Sequence, residues 1–492
     1  MNYQPFLAMS PFPPIMDSLL RWHPDPLAFA LKACAVLATI VGLSCWTLNK
    51  RLYPSTAPPI VEIESSEMFN NPKVAYALAL RNSKGIVGVR RKGRLEYIVD
   101  RSFTHQVLTD DSKFSFELGT LSSEIATRLD EAMAAVVPIF QSNVDDLVND
   151  LPLGSALTPV DFEAFVHRTM ASAMIQLILG KDYLSADNIK RVENIAVEVA
   201  TLGGIFQNMS WFSRTFPSVW RIAIWIRVFL YSIPINFILG IGREVYHQLG
   251  QIDSYDKEGR GRGESDGGTA FTWARRYVDH RQGQIGVLDR FWILTVVLGM
   301  IFASVHQTAV VMIWMAFELA KRPEDVQRIR EEMEREGLSM RYASLRRFEF
   351  LDSFIREVMR TKGDTLSTVR MTTMDVPLGE YVIPSGSFVV PLATQSHESE
   401  FYHGENARDF VGDRWVGQEK PSSMLSTSYW PFGLGRWACP GRTLAVAEIK
   451  VLMLLLLQRT EFALEGGDYK VVDPLTVTSV APEGTLLLQR CV

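Results

Sequence analysis

Cys439 stands in F-G-L-G-R-W-A-C-P-G, Phe432 to Gly441, among neighbours that suit a metal-binding thiolate. A thiolate persists away from bulk water only where donors or positive potential surround it. Gly433 and Gly435 permit a tight turn with positive φ, which lets backbone N–H groups converge on the sulfur. Pro440 suits a first helical turn, and the run T-L-A-V-A-E-I-K-V-L-M-L-L-L-L beyond it reads as helix. The sulfur then sits at the positive end of a helix dipole. The plainer reading is a buried cysteine in a glycine-bearing loop. A second cluster, A-S-V-H-Q-T from Ala303 to Thr308, lies inside the apolar run Val287 to Leu319. His306 titrates near neutrality and can give or take a proton; it reads equally as a satisfied core histidine. Glu357 and Arg360, in E-V-M-R, are three apart and share a helix face. Buried, such a pair needs a further partner to offset desolvation.

Taken in order, these stretches resemble the cytochrome P-450 family. F-G-L-G-R-W-A-C-P-G is similar to its haem loop, F-x-x-G-x-R-x-C-x-G, through Phe432, Gly435, Arg436, Cys439 and Gly441. The one departure is spacing: Arg436 follows Gly435 directly, and Trp437 takes the place of the family's arginine. Glu357 and Arg360 match E-x-x-R, and Arg414, in F-V-G-D-R-W, matches the arginine that completes that triad. The resemblance gives these three a role in folding around the haem. It makes Cys439 the axial ligand of haem b (iron protoporphyrin IX), where a thiolate pushes electron density toward O–O cleavage and hydrogen bonds tune it. Arg370 and His397 match propionate-side positions. Arg128 reads either as a further propionate contact or as a solvated helix charge.

A-S-V-H-Q-T falls where the family's long helix crosses the haem, usually as A/G-G-x-D/E-T. Small Ala303 and Ser304 leave room for dioxygen, His306 takes the acid position and Gln307 the threonine position. Apart from Gln307 this resembles the A-x-x-H-T-T form of ascomycete biosynthetic members. Dioxygen activation consumes protons, which the family delivers through a hydroxyl and ordered water. Gln307 cannot ionise, so it positions water without relaying a proton; His306 can supply one, and Thr308 offers a hydroxyl one step on.

The elements that must position these groups read as mainly α with a small β-sheet portion. Helical periodicity covers Glu67 to Asn82, Ser122 to Val148, Asp161 to Leu179, Ala186 to Leu202 and Val287 to Leu319. Two β-rich runs flank a Lys92-Gly93 turn and predict a hairpin. Residues 1–26 are an N-terminal lead, and 27–48 are long and apolar enough to span a bilayer as a single transmembrane helix. Trp46 is placed as an interfacial anchor, and Lys50 and Arg51 favour a cytoplasmic C-terminal side. Residues 49–60, with Pro54, Pro58 and Pro59, form a stiff linker, and 61–492 are the catalytic domain. Phe206 to Ile241 is apolar and aromatic, but Pro217, Pro234, Arg214, Arg221 and Arg227 argue against a second span; an interfacial segment fits better, and ordinary core helices read nearly as well. Asp253 to Gly268 is polar and Gly-rich and predicts a flexible surface loop.

A net charge of -5 gives no basic footprint for nucleic acid. The four cysteines, Cys34, Cys45, Cys439 and Cys491, make no disulfide framework and fit a reducing compartment. No flavin or nicotinamide fingerprint is present, so electrons must come from a separate chain. The resemblance implies a monooxygenase of the endoplasmic reticulum membrane, single-pass, its domain on the cytoplasmic face. Its partners would be NADPH-cytochrome P-450 reductase, with cytochrome b5 as a further donor, the lipid bilayer, and an apolar substrate of terpenoid or polyketide type. The alternatives are a haem-thiolate isomerase or dehydratase needing no external electrons, and a non-catalytic membrane protein that binds haem or apolar ligands.

Overall fold

The computed structural model describes residues 57–91, 94–110, 114–115, 129–154, 156–257, 270–271 and 286–491. The expected span at 27–48, the linker before Ala57, the Lys92-Gly93 turn and Arg128 lie outside the described residues.

The helices that build the site are α1 (Pro72–Arg81), α2 (Arg101–Thr109), α3 (Leu129–Asp150), α4 (Phe162–Ile178), α5 (Ala186–Leu202), α6 (Pro217–Arg227), α7 (Gly242–Lys257), α8 (Val287–Ala320), α9 (Pro323–Glu336), α10 (Glu349–Thr361) and α11 (Arg442–Leu457). Short polar side chains start several of them. Asp100 Oδ1 accepts from Ser102 N–H, Asp161 Oδ1 from Ala164 N–H, and Ser185 Oγ from Asn188 N–H, each satisfying an orphan donor of a first turn. At α8 the reverse half of the device is used: Asp289 reaches back to take the N–H of Gly286.

α8 is the central helix and packs against α4, α5, α10 and α11. α11 is buried along nearly its whole length and also lies on α3. One large apolar cluster therefore joins both sides of the Cys439 loop, with Phe432 packed against it. To one side stands a six-stranded sheet in the order β1-β2-β3-β9-β6-β4: β1 (Ile60–Val61), β2 (Ile86–Arg91), β3 (Arg94–Val99), β4 (Phe114–Ser115), β6 (Arg370–Thr372) and β9 (Phe388–Pro391). β5 (Thr158–Val160), β10 (Thr460–Leu464) and β11 (Leu486–Arg490) make a second sheet, and β7 (Val376–Leu378) pairs with β8 (Tyr381–Ile383). The expected hairpin is β2 and β3, antiparallel from Ile86↔Val99 to Arg91↔Arg94.

Three boundaries differ from the sequence expectation. The helix expected over Glu67 to Asn82 is two, Ser65–Asn70 and α1, because Pro72 drives Asn71 out of helical geometry (φ -143°, ψ 61°). The loop expected from Asp253 is helical through Lys257; D-S-Y-D-K holds neither glycine nor proline, and the first glycine of the run is Gly259. Pro440 lies in a turn, and α11 starts at Arg442. In the aromatic region α6 runs on through the wide turns Val228–Ser232 and Pro234–Ile241 into α7, with a break at Gly240 (φ -98°, ψ -116°).

Candidate active site

The chain closes a loop around Cys439 before α11 begins. Gly433 N–H donates to Trp430 O at 3.0 Å, Ala438 N–H to Gly435 O at 3.2 Å, and Cys439 N–H to Phe432 O at 2.8 Å. Gly433 (φ 76°) and Gly435 (φ 77°) occupy the left-handed region that side chains avoid. Gly435 is also a point of close approach: an added Cβ would stand 2.3 Å from the carbonyl oxygen of Leu108, at the end of α2.

The Cys439 thiol is exposed, yet protein surrounds it closely enough that desolvation chiefly raises its pKa, against the N–H groups of Gly441 and Arg442 and the Arg442 charge. A thiol both embedded and exposed lines a cleft. Burial keeps the proton on the sulfur, and a bound cation would displace it. Gly441 borders the sulfur, its added Cβ falling 3.9 Å from Sγ. On α8, Ala303 and Gln307 are exposed while Val305, His306, Thr308 and Ala309 are buried. Four apart, the two exposed residues share one face, an open strip on a helix that packs against α11. One thiolate-forming sulfur with backbone donors, bordered by glycines in a cleft, fits an iron porphyrin.

A family model for cytochrome P-450 matches residues 66–488. The chain belongs to the cytochrome P-450 family. Its members bind haem b through a cysteine thiolate, which gives Cys439 its counterpart. Secologanin synthase 1 of Catharanthus roseus is 27% identical over 184 residues, 37% of this chain and 35% of the relative. Cytochrome P-450 monooxygenase 71 of Postia placenta is 31% identical over 203 residues, 38% and 40% of the two chains. A Gibberella fujikuroi protein, cytochrome P-450 monooxygenase 3, is 27% identical over 256 residues, 46% of each chain. The aligned stretches thus span 35% to 46% of these relatives' lengths. Among solved structures, a retinoic acid-bound cyanobacterial CYP120A1 superposes with a TM-score of 0.61 over 88% of this chain and 99% of that one, at 15% identity, a likeness of fold.

In this cytochrome P-450 the expected triad is assembled. Glu357 Oε2 accepts from Arg360 Nε at 2.8 Å, and Oε1 from Arg360 Nη2 at 2.6 Å and Arg414 Nε at 3.0 Å. Burial alone would raise the Glu357 pKa, but the two arginines and the N–H of Val411 outweigh it and hold the carboxyl below its usual range. Arg360 is also satisfied by the carbonyls of His397, Ala407 and Asp409.

The remaining expected residues are placed as follows. Arg370 is buried on β6, with Nη1 donating to Val369 O. Arg436 is exposed, its guanidinium 5.2 Å from the Trp437 ring centre. His397 lies in the core against Tyr429 and Trp430, and its Nε2 accepts from Trp430 N–H at 3.0 Å; burial lowers its pKa to about 3. That nitrogen is committed to holding the lead-in to the cysteine loop.

His306 faces α4 and Phe206, its ring 5.7 Å from that of His167. Its Nε2 lies 3.0 Å from Ser479 O, which can only accept, so Nε2 carries the proton. Burial and His167 lower its pKa to about 4, so it is neutral at physiological pH. Thr308 is buried, off the exposed strip.

Sequence reasoning missed the groups that support these. Arg356 stacks over Tyr429 (3.7 Å) and Trp415 (4.5 Å) while its Nη1 donates to Pro421 O and Met424 O. Trp415 Nε1 donates to Glu357 Oε2 at 3.1 Å. Both are sequence neighbours of motif residues, Glu357 and Arg414, and adjacency was the available signal. Ser479 and Asp364 carried none.

Proposed function

We propose that this cytochrome P-450 is a membrane-anchored haem-thiolate monooxygenase that oxidises an apolar small molecule. It would use dioxygen and electrons passed from NADPH by a membrane-bound reductase. The observation that carries the reading is the exposed Cys439 thiol in a cleft, with N–H donors from Gly441 and Arg442, in a chain of this family. When bound, the haem supplies the redox centre at which one oxygen atom is inserted into substrate and the other leaves as water. Cys439 would hold it, and Arg370 would meet its propionates. Ala303, without bulk beyond a methyl, leaves space on the exposed strip of α8. Gln307, on the same strip, orders water there. His306, neutral and tied to Ser479, is a hydrogen-bonding element in this environment, not a source of acid.

Residues 27–48 are the proposed single-pass anchor in the endoplasmic reticulum membrane, with the domain on the cytoplasmic side. The region after α5 supports a second contact with lipid. Trp211, Phe216, Ile222, Trp225, Leu230 and Leu239 are all exposed, and Pro217–Leu249 is long and apolar enough to cross a membrane. Apolar side chains at this density mark an interaction surface, and with Arg214, Arg221 and Arg227 among them the chemistry is that of a helix lying in the bilayer interface. An apolar substrate drawn from lipid fits this placement, and a terpenoid or polyketide is the proposed class.

The test is the reduced, carbon monoxide-bound difference spectrum of the full chain in membranes, with Cys439→Ala beside it. A strongly red-shifted Soret band, absent in the variant, is expected. A band unchanged by the substitution removes Cys439 as ligand and overturns the proposal. Substrate-dependent NADPH consumption with reductase then separates a monooxygenase from an electron-independent isomerase or a silent carrier.

A further inference from the structure

Gln307 takes the place of a threonine in the family pattern, and the structure gives it a specific partner. The turn at Val477–Ser479 is fastened to α8 by three side chains. Trp314 Nε1 donates to Val477 O at 2.8 Å and Val480 O at 3.2 Å, His306 Nε2 donates to Ser479 O, and Gln307 Nε2 to Ser479 Oγ at 3.2 Å. From the opposite side, the segment after α10 grips the same turn. Thr478 N–H donates to Asp364 Oδ1 at 2.8 Å, Thr478 Oγ1 to Lys362 O at 2.7 Å, and Ser479 Oγ to Asp364 Oδ2 at 3.2 Å.

The chemistry of these groups fixes the direction of each proton. Asp364 acts as acceptor at both oxygens, so the single hydroxyl proton of Ser479 is spent on it. Ser479 Oγ then has only lone pairs left for Gln307. The amide must therefore turn its NH2 toward Ser479 and its carbonyl away. Amide orientation is decided by such networks and by little else.

We propose that Ser479 and Asp364 are positioning residues for Gln307, locking its amide so that α8 presents a carbonyl oxygen, an acceptor, on its exposed strip. Water on that strip is then held by one of its own protons, where a threonine hydroxyl would donate. This rests on the haem-thiolate reading above.

The experiment is infrared spectroscopy of the reduced, carbon monoxide-bound full chain, in which the C–O stretch reports donors and acceptors near the bound gas. Ser479→Ala frees the amide and is expected to move the band; Ser479→Thr, which keeps the hydroxyl, restores it. Asp364→Asn lets the residue donate back to Ser479, so the Ser479 proton turns to Gln307 and the amide flips. Its N–H groups then lie on the exposed strip, and the stretch falls in frequency. In a Gln307→Leu background, Ser479→Ala is expected to add no shift. A Ser479→Ala shift that survives in that background, or an unmoved band in Asp364→Asn, overturns the proposal while the red-shifted Soret band still stands. Absence of that Soret band in the unaltered protein overturns the haem-thiolate reading itself and the proposal with it.

Discussion

Glu357 accepts five hydrogen bonds on two oxygens, two from Arg360 and one each from Arg414, Val411 and Trp415. Removing that carboxylate strands two guanidinium groups, and breaking a buried pair from one side costs on the order of 3–5 kcal/mol, a large part of a stability that totals about 5–15 kcal/mol. Glu357→Ala is expected to abolish recoverable holoprotein, read from haem incorporation and thermal unfolding. Arg360→Lys should do nearly the same, since a point charge cannot reproduce a fork that reaches both carboxylate oxygens and three carbonyls. Titration gives opposite signs at two kinds of buried group. His306 and His397, lowered to about 4 and about 3, stay neutral when folded while the unfolded chain protonates them below about pH 6.5. The stability they confer is complete above that pH and is lost as pH falls toward 4. Glu448 is buried in α11 and raised to about 8 by desolvation. Its contribution is complete below the unfolded value near 4.5 and is lost as pH rises through 8. Glu448→Gln is therefore expected to flatten the decline in thermal stability between pH 6.5 and 8, and a decline as steep as before would contradict this.

At the scale of elements, two short segments are held by contacts with distant parts of the fold. The loop before α11 depends on Gly435, where positive φ and the 2.3 Å approach of a Cβ to Leu108 O coincide. Gly435→Ala is expected to displace the loop from α2 and lower haem occupancy by more than the ~1 kcal/mol that left-handed strain alone would explain, measured as the ratio of Soret to protein absorbance. The turn at Val477–Ser479 depends on Trp314. Trp314→Phe keeps the packing but leaves the Val477 and Val480 carbonyls without their donor, a loss of about 1–3 kcal/mol, seen as a lower unfolding temperature and faster amide exchange in the turn.

For the whole molecule, the helical run from α6 to α7, broken at Gly240, carries the exposed aromatic and aliphatic face on which the proposed contact with lipid rests. Trp211 is 69% exposed and Ile222 61%, which is costly in water and favourable in an interface. In vesicles with brominated acyl chains, tryptophan fluorescence of the full chain is expected to be quenched. Changing Trp211, Trp225 and the half-buried Trp220 of α6 together to Phe should remove much of that quenching. Quenching of the same depth in the triple variant would place this face in water.

The glycine turn before Cys439, the Glu357–Arg360 spacing and the long apolar helix were legible in the sequence because each depends on local rules, whereas Arg414 was found through the family resemblance. Glycine φ, helix spacing and apolar period act within a few residues and leave a fixed order of letters. Helix ends were less legible where one residue decides, as at Pro72. The sequence alone also left His306 open between proton donor and core histidine. Tertiary structure decided it, through a carbonyl 173 positions away on Ser479 and a second histidine on α4. Arg356, Ser479 and Asp364 gain their roles only when distant segments meet, because a hydrogen bond between far residues fixes distance and direction in space and imposes no spacing along the chain.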